Sequence, residues 1–177
     1  MLELLEWGHR VVIDMAPSWH ALEVLRTPTR LLAWAGALLK TLARHRTLPL
    51  ARDAAVEVAK RSQQMRDLAT LLRDRTRCSV VVVTLPEPLP DYETRRLVHL
   101  LHDVATPVAA VFINRVLVDS STKCLRCLHS RQWQAFSIAS LRRQLRGTEV
   151  YVTREFDVPI ARRKALQGFT REIWRLA

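Results

Sequence analysis

The chain has 177 residues, of which 49% are hydrophobic and 25% charged, a composition typical of a globular domain with a buried core. Its 28 Lys and Arg against 17 Asp and Glu give a net charge of +11. The arginines are spread along helical stretches and do not alternate with aromatic residues, so no nucleic acid is expected as a partner. No apolar stretch approaches the roughly 20 residues that cross a bilayer, which argues against an integral membrane protein.

Cysteine usage and the amino terminus bear on the cellular compartment. Three cysteines cannot all pair within one chain, which is typical of a reducing environment and not of a disulfide framework. The first residues, Met-Leu-Glu-Leu-Leu-Glu, lack the basic segment that begins a secretory signal peptide. The sequence therefore predicts a cytoplasmic protein.

The first predicted strand lies near residues 10–14, where Val11, Val12 and Ile13 form a β-branched run. Such a continuous apolar run is typical of a strand that is buried on both faces. Asp14 follows at the carboxyl end, where open parallel sheets bind their ligands. An acidic residue there can orient a metal-bound water beside a nucleotide phosphate, or it can be a solvated strand end.

Two helices are predicted after this strand. Pro17 ends the extended segment, and Ser18 can cap a first helix, which Pro28 is expected to break. The next helix, from Thr29 to about Arg46, is apolar over much of its surface. This pattern favours a buried helix, with a partner-binding helix as the alternative.

The remainder of the chain alternates helices with strands. The strands are predicted near 79–84, 107–113 and 149–153, and the helices over 51–75, 91–104, 132–146 and 161–176. This alternation predicts an α/β fold, a mostly parallel sheet with helices on both faces. No repeat or low-complexity linker divides residues 1–177, so they are expected to form one domain or part of one.

Four motifs occur in a fixed order along most of the chain. They are Val11-Val-Ile-Asp-Met-Ala-Pro-Ser-Trp-His20, Leu85-Pro86-Glu87 with Glu93-Thr94-Arg95-Arg96-Leu97, Phe112-Ile-Asn-Arg-Val-Leu117, and Cys124-x-x-Cys127 with Arg131 and Gln134. In this order they closely resemble the ArsA family of arsenite-pump and tail-anchored-protein-targeting ATPases. The resemblance implies a P-loop NTPase fold of the deviant Walker A class, here incomplete, in which two protomers face each other across their nucleotides.

The resemblance also implies roles for individual residues. Asp14 resembles the switch II Asp that couples magnesium and the γ-phosphate to movement, and His20 resembles the His of that switch, so both are implied catalytic residues. Asp14 and Pro17 belong to the implied nucleotide-binding segment. Asn114 resembles the Asn that reads the adenine edge, for which its amide supplies a donor and an acceptor. The alternative for Asn114 is a hydrogen-bonded residue at a strand end.

Cys124 and Cys127 have the spacing of metal ligands, but two thiolates are half of a tetrahedral zinc site. The pair can alternatively be redox-active or consist of two ordinary buried thiols. In the tail-anchored branch of the resembled family, two such pairs meet at a dimer axis. The resemblance therefore implies a homodimer with Zn²⁺ at its interface.

The sequence lacks a phosphate-binding loop. A P-loop ends in Gly-Lys-Ser or Gly-Lys-Thr, whereas the four glycines here are followed by His, Ala, Thr and Phe. Residues 1–177 are therefore predicted to be the C-terminal part of an ArsA-like ATPase domain, which uses ATP and Mg²⁺ only together with an absent P-loop half. That half, or a membrane transport or targeting protein, is the expected partner. The alternative is a degenerate, non-catalytic dimerisation or interaction protein of the same fold.

Overall fold

The computed structural model describes residues 10–15, 18–118, 124–145, 147–156, 159–161 and 163–176. Their helices are α1 (Ser18–Arg44), α2 (Pro49–Arg73), α3 (Pro88–Asp103), α4 (Leu125–Gln144) and α5 (Arg163–Arg171). Their strands are β1 (Val80–Thr84), β2 (Val108–Val116), β3 (Glu149–Arg154) and β4 (Ile173–Arg175). The chain divides into two compact units: the first holds α1, α2 and Asp103–Pro107, and the second holds the sheet with the other helices.

The first unit is a pair of packed helices, α1 and α2. α1 continues through Pro28, although the sequence predicts a break there. Proline has no N–H and leaves one helical carbonyl without its usual donor. That carbonyl belongs to Val24; the Thr27 hydroxyl donates to the neighbouring carbonyl of Glu23 at 2.8 Å and does not replace the lost bond, and Pro28 itself is buried. Burial of side chains such as Leu22 and Leu68, 1% and 6% exposed, offsets the lost hydrogen bond.

The predicted strand near residues 10–14 is wrong. Residues 10–15 form neither a helix nor a strand, and Val12 is 87% exposed. An apolar run becomes a buried strand only when a neighbouring strand pairs with its backbone and other side chains cover it. The described sheet consists of β1 to β4, and none of these strands pairs with residues 10–15.

The second unit is built on a four-stranded sheet in the order β1-β2-β3-β4. β1 pairs with β2 and β2 with β3 in parallel, whereas β4 pairs with β3 in the antiparallel sense. The predicted α/β fold with a mostly parallel sheet is confirmed, and β1, β2 and β3 correspond to three of the predicted strands. No helix in the described part of the chain is both long and apolar enough to cross a membrane.

The carboxyl-terminal helix is shorter than the sequence predicts. α5 ends at Arg171, and Ile173–Arg175 form β4 where further helical turns were expected. Gly168 weakens the helix, whereas Ile and Trp side chains favour a strand once an edge is available. β3 supplies that edge, and the Arg175 guanidinium lies 2.9 Å from the Glu149 carboxylate of β3. Tertiary pairing therefore overrides the helical periodicity.

The core of the second unit lies between β2 and α4, which lies against β2. Val111 and Ile113 on β2 and Leu141 on α4 are each 0% exposed, and Leu101 on α3 is 1% exposed. These side chains form the apolar layer that holds the carboxyl end of β2 in place.

We expect Leu141→Ala to lower the free energy of unfolding by about 2–5 kcal/mol, because it removes buried methyl groups and leaves a cavity. Leu125→Ala is the matched control, the same substitution on the same helix at a side chain that is 73% exposed. It is expected to change the free energy of unfolding by less than about 0.5 kcal/mol. Urea unfolding followed by circular dichroism measures both. Equal destabilisation by the two variants would contradict this core.

Candidate functional site

Polar side chains lie at or near the carboxyl ends of the three parallel strands: Thr84 on β1, Asn114 on β2 and Thr153 on β3. Because the carboxyl ends of parallel strands meet at one edge of a sheet, this edge is where such folds bind ligands. The Thr153 hydroxyl donates to Asn114 Oδ1 at 2.7 Å and joins the ends of β2 and β3. The sequence analysis identified only Asn114. Thr84 and Thr153 carry the same signal, a polar residue at the end of an apolar run.

The end of β2 is irregular between Ile113 and Val116, where its register with β3 shifts. Arg115 has a φ of 60°, a left-handed conformation that is unfavourable for a residue with a side chain. Gln134 of α4 holds this backbone. Its Oε1 accepts from the Leu117 N–H at 2.8 Å, and its Nε2 donates to the Arg115 carbonyl at 3.4 Å. Gln134, part of the fourth sequence motif, therefore fixes the bulge that presents Asn114.

The amide of Asn114 is oriented by two contacts. Its Oδ1 accepts from the Arg115 N–H at 2.9 Å and from the Thr153 hydroxyl at 2.7 Å. Since a backbone N–H only donates, the first contact also identifies which amide atom is the oxygen. Both lone pairs of Oδ1 accept hydrogen bonds. The NH₂ group of Asn114 donates to no other described residue. Asn114 therefore offers a ligand a donor, while the acceptor expected from the sequence is already used internally.

A second polar cluster attaches α3 to its neighbours. The Thr94 hydroxyl donates to the Thr84 hydroxyl at 2.6 Å. Asp91 is 4% exposed and pairs with Arg95, whose guanidinium also donates to Ser140 of α4 at 3.2 Å. The helix that the sequence predicts from residue 91 begins at Pro88, and Asp91 lies in its first turn. These contacts are internal, so the cluster is structural.

Asp14 and His20 belong to the first unit. Asp14 is exposed after the Val11–Ile13 run, and His20 is exposed in the first turn of α1. Neither forms a hydrogen bond or ion pair with another described residue. Ser18, which the sequence suggests as the cap of this helix, is the first described residue of α1. Pro17 lies outside the described residues, and the roles of these three residues stay predictions.

The Cys-x-x-Cys motif lies at the amino end of α4, which begins at Leu125, earlier than the sequence predicts. Cys124 is exposed at the N-cap position, and Cys127 is half-buried in the first turn. The backbone N–H and thiol of Cys127, with smaller effects of Arg126, lower the pKa of Cys124 below its usual value. This favours the thiolate, the form that binds zinc.

Zinc requires more ligands than one chain supplies at this motif. Within the described ranges, no group of three or more His, Cys, Asp or Glu side chains is close enough together to hold a metal ion. Cys124 and Cys127 provide two thiolates, whereas a structural zinc site has four ligands. A second pair of ligands from outside the described residues is needed to complete the site.

The described glycines do not form a phosphate-binding loop. Gly36 and Gly168 lie inside α1 and α5, and Gly147, with a φ of 86°, lies between α4 and β3. A phosphate-binding loop needs glycines that lead into the amino end of a helix, so that backbone N–H groups surround the anion. None of these three glycines has that position. The fourth, Gly8, lies outside the described residues.

These features identify a class of protein. Residues 8–173 match the family profile ArsA_ATPase, described as anion-transporting ATPase. The chain therefore belongs to the ArsA family, and the resemblance drawn from the four motifs is confirmed. Membership supports an ATPase-related function, in a family whose chemistry uses ATP and Mg²⁺.

Two curated relatives show how much of such a protein the chain represents. It is 29% identical over 144 residues to ATPase GET3B of Arabidopsis thaliana, covering 75% of this chain and 35% of that protein. It is 25% identical over 181 residues to ATPase ARSA1 of Chlamydomonas reinhardtii, covering 94% of this chain and 23% of that protein. The chain thus spans about a third of the length of GET3B and about a quarter of the length of ARSA1.

Proposed function

We propose that residues 1–177 act as the C-terminal part of an ArsA-family ATPase domain, supplying its adenine-binding edge and its switch segment. The observation that carries this proposal is the amide of Asn114, held at the carboxyl end of a central parallel strand with its NH₂ group available. A fixed donor at this edge suits a nitrogen acceptor of a purine base. Hydrolysis additionally requires a P-loop-bearing segment, because the phosphate cradle is not among the described residues.

The switch assignment rests on Asp14 and His20. They lie in the segment that resembles the family's switch II and within the residues that match the family profile, and both are exposed and uncommitted to other described side chains. In this proposal Asp14 supplies a carboxylate and His20 an imidazole on the nucleotide side, with Pro17 between them in the same segment. No catalytic step is assigned to ATP or Mg²⁺ from this chain's residues alone.

The assembly that we propose is a cytoplasmic homodimer that works with a transport or targeting partner. Cys124 is exposed with a lowered pKa, and Cys127 lies one helical turn away, so each chain offers half of a zinc site. Two chains related by a twofold axis can complete four thiolate ligands, because each contributes the same pair. The zinc ion would then join the two amino ends of α4.

A second candidate function is a non-catalytic interaction protein of the same fold. The observation that favours it is an exposed apolar face on α1, where Leu31, Trp34 and Leu38 are 47%, 79% and 47% exposed. Their spacing places them on one side of the helix, as in helices that bind a partner. Phosphate release with a complementing P-loop segment distinguishes the two functions, because only the first predicts restored turnover.

We expect Asn114→Asp to weaken the binding of adenosine about three- to tenfold, since one neutral hydrogen bond contributes roughly 1 kcal/mol. Asp keeps an oxygen for the Arg115 N–H and the Thr153 hydroxyl but lacks the NH₂ donor. Ligand-observed NMR with adenosine, which needs no phosphate site, measures the change. Thr153→Val is the control, because it removes one contact of the oxygen and leaves the donor. Unchanged binding in Asn114→Asp would make Asn114 a structural residue only.

A further inference from the structure

The first unit contains a groove of about 290 Å³ between α1, the end of α2 and the segment Asp103–Pro107. Three arginines line it, Arg26 and Arg30 from α1 and Arg73 from the last turn of α2. None of the sequence motifs includes these residues, and the groove is distinct from the sheet edge that carries Asn114. Its lining nevertheless has the features of a ligand site.

The charges of this groove are only partly neutralised. Glu23 binds Arg30 through both carboxylate oxygens, but it lies 3.9 Å from Arg26. Arg73 forms no ion pair with any carboxylate of the described residues. Asp103 is the single acid in the lining, and it likewise forms no ion pair with a described residue. The three guanidiniums and the carboxylates of Glu23 and Asp103 together carry a formal charge of +1. Arg26 and Arg73 keep N–H donors available for a ligand.

The rest of the lining combines hydroxyl groups with an apolar floor. Thr29 and Thr106 contribute hydroxyls, and Leu25, Ala69 and Leu72 contribute aliphatic surface. Arginine binds carboxylate and phosphate groups in a bidentate manner, and an adjacent apolar surface covers a hydrocarbon substituent. The volume lies at the small end of ligand pockets, which suits a molecule of one ring or a short chain.

We propose that this groove binds a small organic anion, a phosphate or carboxylate that carries a short apolar group. The anionic head contacts Arg26 and Arg73, which have the least internal pairing, and the apolar group lies over Leu72. Arg30 is held and largely neutralised by Glu23, so it lines the groove without binding the head group. The site is separate from the nucleotide function proposed above and stands independently of it.

Isothermal titration of the full chain with phenyl phosphate tests the proposal. We expect one site per chain, and binding at least about tenfold weaker for phenol, which lacks the charge, and for inorganic phosphate, which lacks the ring. Arg26→Gln and Arg73→Gln are each expected to weaken phenyl phosphate binding about tenfold, because each removes a charged hydrogen-bond donor. Benzoate in place of phenyl phosphate shows whether the head group is a carboxylate or a phosphate.

Arg61→Gln is the matched control. Arg61 lies on α2 outside the groove, and its substitution removes the same charge as the groove variants do. It is expected to leave the affinity unchanged. Arg26→Lys keeps the charge but not the fork of donors, and circular dichroism establishes that each variant is folded. The proposal is overturned if phenyl phosphate does not bind, if the two groove variants bind it as the unmodified chain does, or if Arg61→Gln weakens it equally.

Discussion

Asp14→Asn is expected to lower ATP hydrolysis by about 100-fold or more in a mixture of this chain with a P-loop-bearing segment of the family. Without that segment, the unmodified chain is expected to release no phosphate above background. Hydrolysis requires backbone N–H groups, a lysine and a metal ion fixed around the phosphates. The substitution keeps the size of the side chain and removes only the carboxylate charge. Phosphate release with magnesium and ATP, before and after mixing, measures both effects.

Asp53→Asn provides the matched control for this experiment. Asp53 is exposed on α2, and Asp53→Asn removes the same carboxylate charge as Asp14→Asn does. ATP hydrolysis by the mixture should therefore persist in Asp53→Asn. Turnover by the chain alone that disappears in Asp14→Asn would mean that the chain itself binds the phosphates, against our proposal. Turnover by the chain alone that persists in Asp14→Asn identifies a contaminating ATPase.

The second large effect is expected at the cysteine pair. Metal analysis of the purified chain should find about one zinc ion per two chains, because two Cys-x-x-Cys pairs complete one tetrahedral site. Cys124→Ser should lose both the zinc and the dimer, since serine is a poor zinc ligand and each chain then contributes one thiolate, which leaves two of the four. Light scattering combined with elemental analysis measures the mass and the metal content of the same sample.

Cys78→Ser is the control for the cysteine experiment. Cys78 is half-buried, burial raises its pKa, and it lies outside the motif. This variant should keep both zinc and dimer. One zinc ion per monomer would refute the intersubunit site and would direct attention to a local ligand such as His129, which is exposed on α4.

Much of the sheet could be predicted from the sequence, because β1, β2 and β3 are β-branched runs that find their neighbours within the chain. The run Val11–Ile13 has the same composition but lies exposed and unpaired. Composition reports how well a segment suits a strand, whereas pairing depends on a partner that local sequence does not specify. For the same reason, the periodicity of residues 161–176 predicts helix throughout, whereas Ile173–Arg175 pair with the edge of β3.

The candidate site was predictable in part. Asn114 ends an apolar run within a family motif, so both periodicity and resemblance identify it. Its contact with Thr153, 39 residues later in the chain, is not local and leaves no periodic signal. That contact and the Arg115 N–H decide that Asn114 acts as a donor. The convergence of the groove arginines likewise cannot be predicted from local sequence, because it depends on how α1 and α2 pack.

Gln134 links the helix that begins at the cysteine pair to the end of β2. It ties α4 to the backbone of Arg115 and Leu117 at one point, and Cys124 lies ten residues before it at the start of the same helix. At a rise of 1.5 Å per residue, the two are separated by about 15 Å along a stiff rod. A shift of the cysteine end would therefore reach the bulge beside Asn114 through these two hydrogen bonds as well as through the packing of α4 against β2.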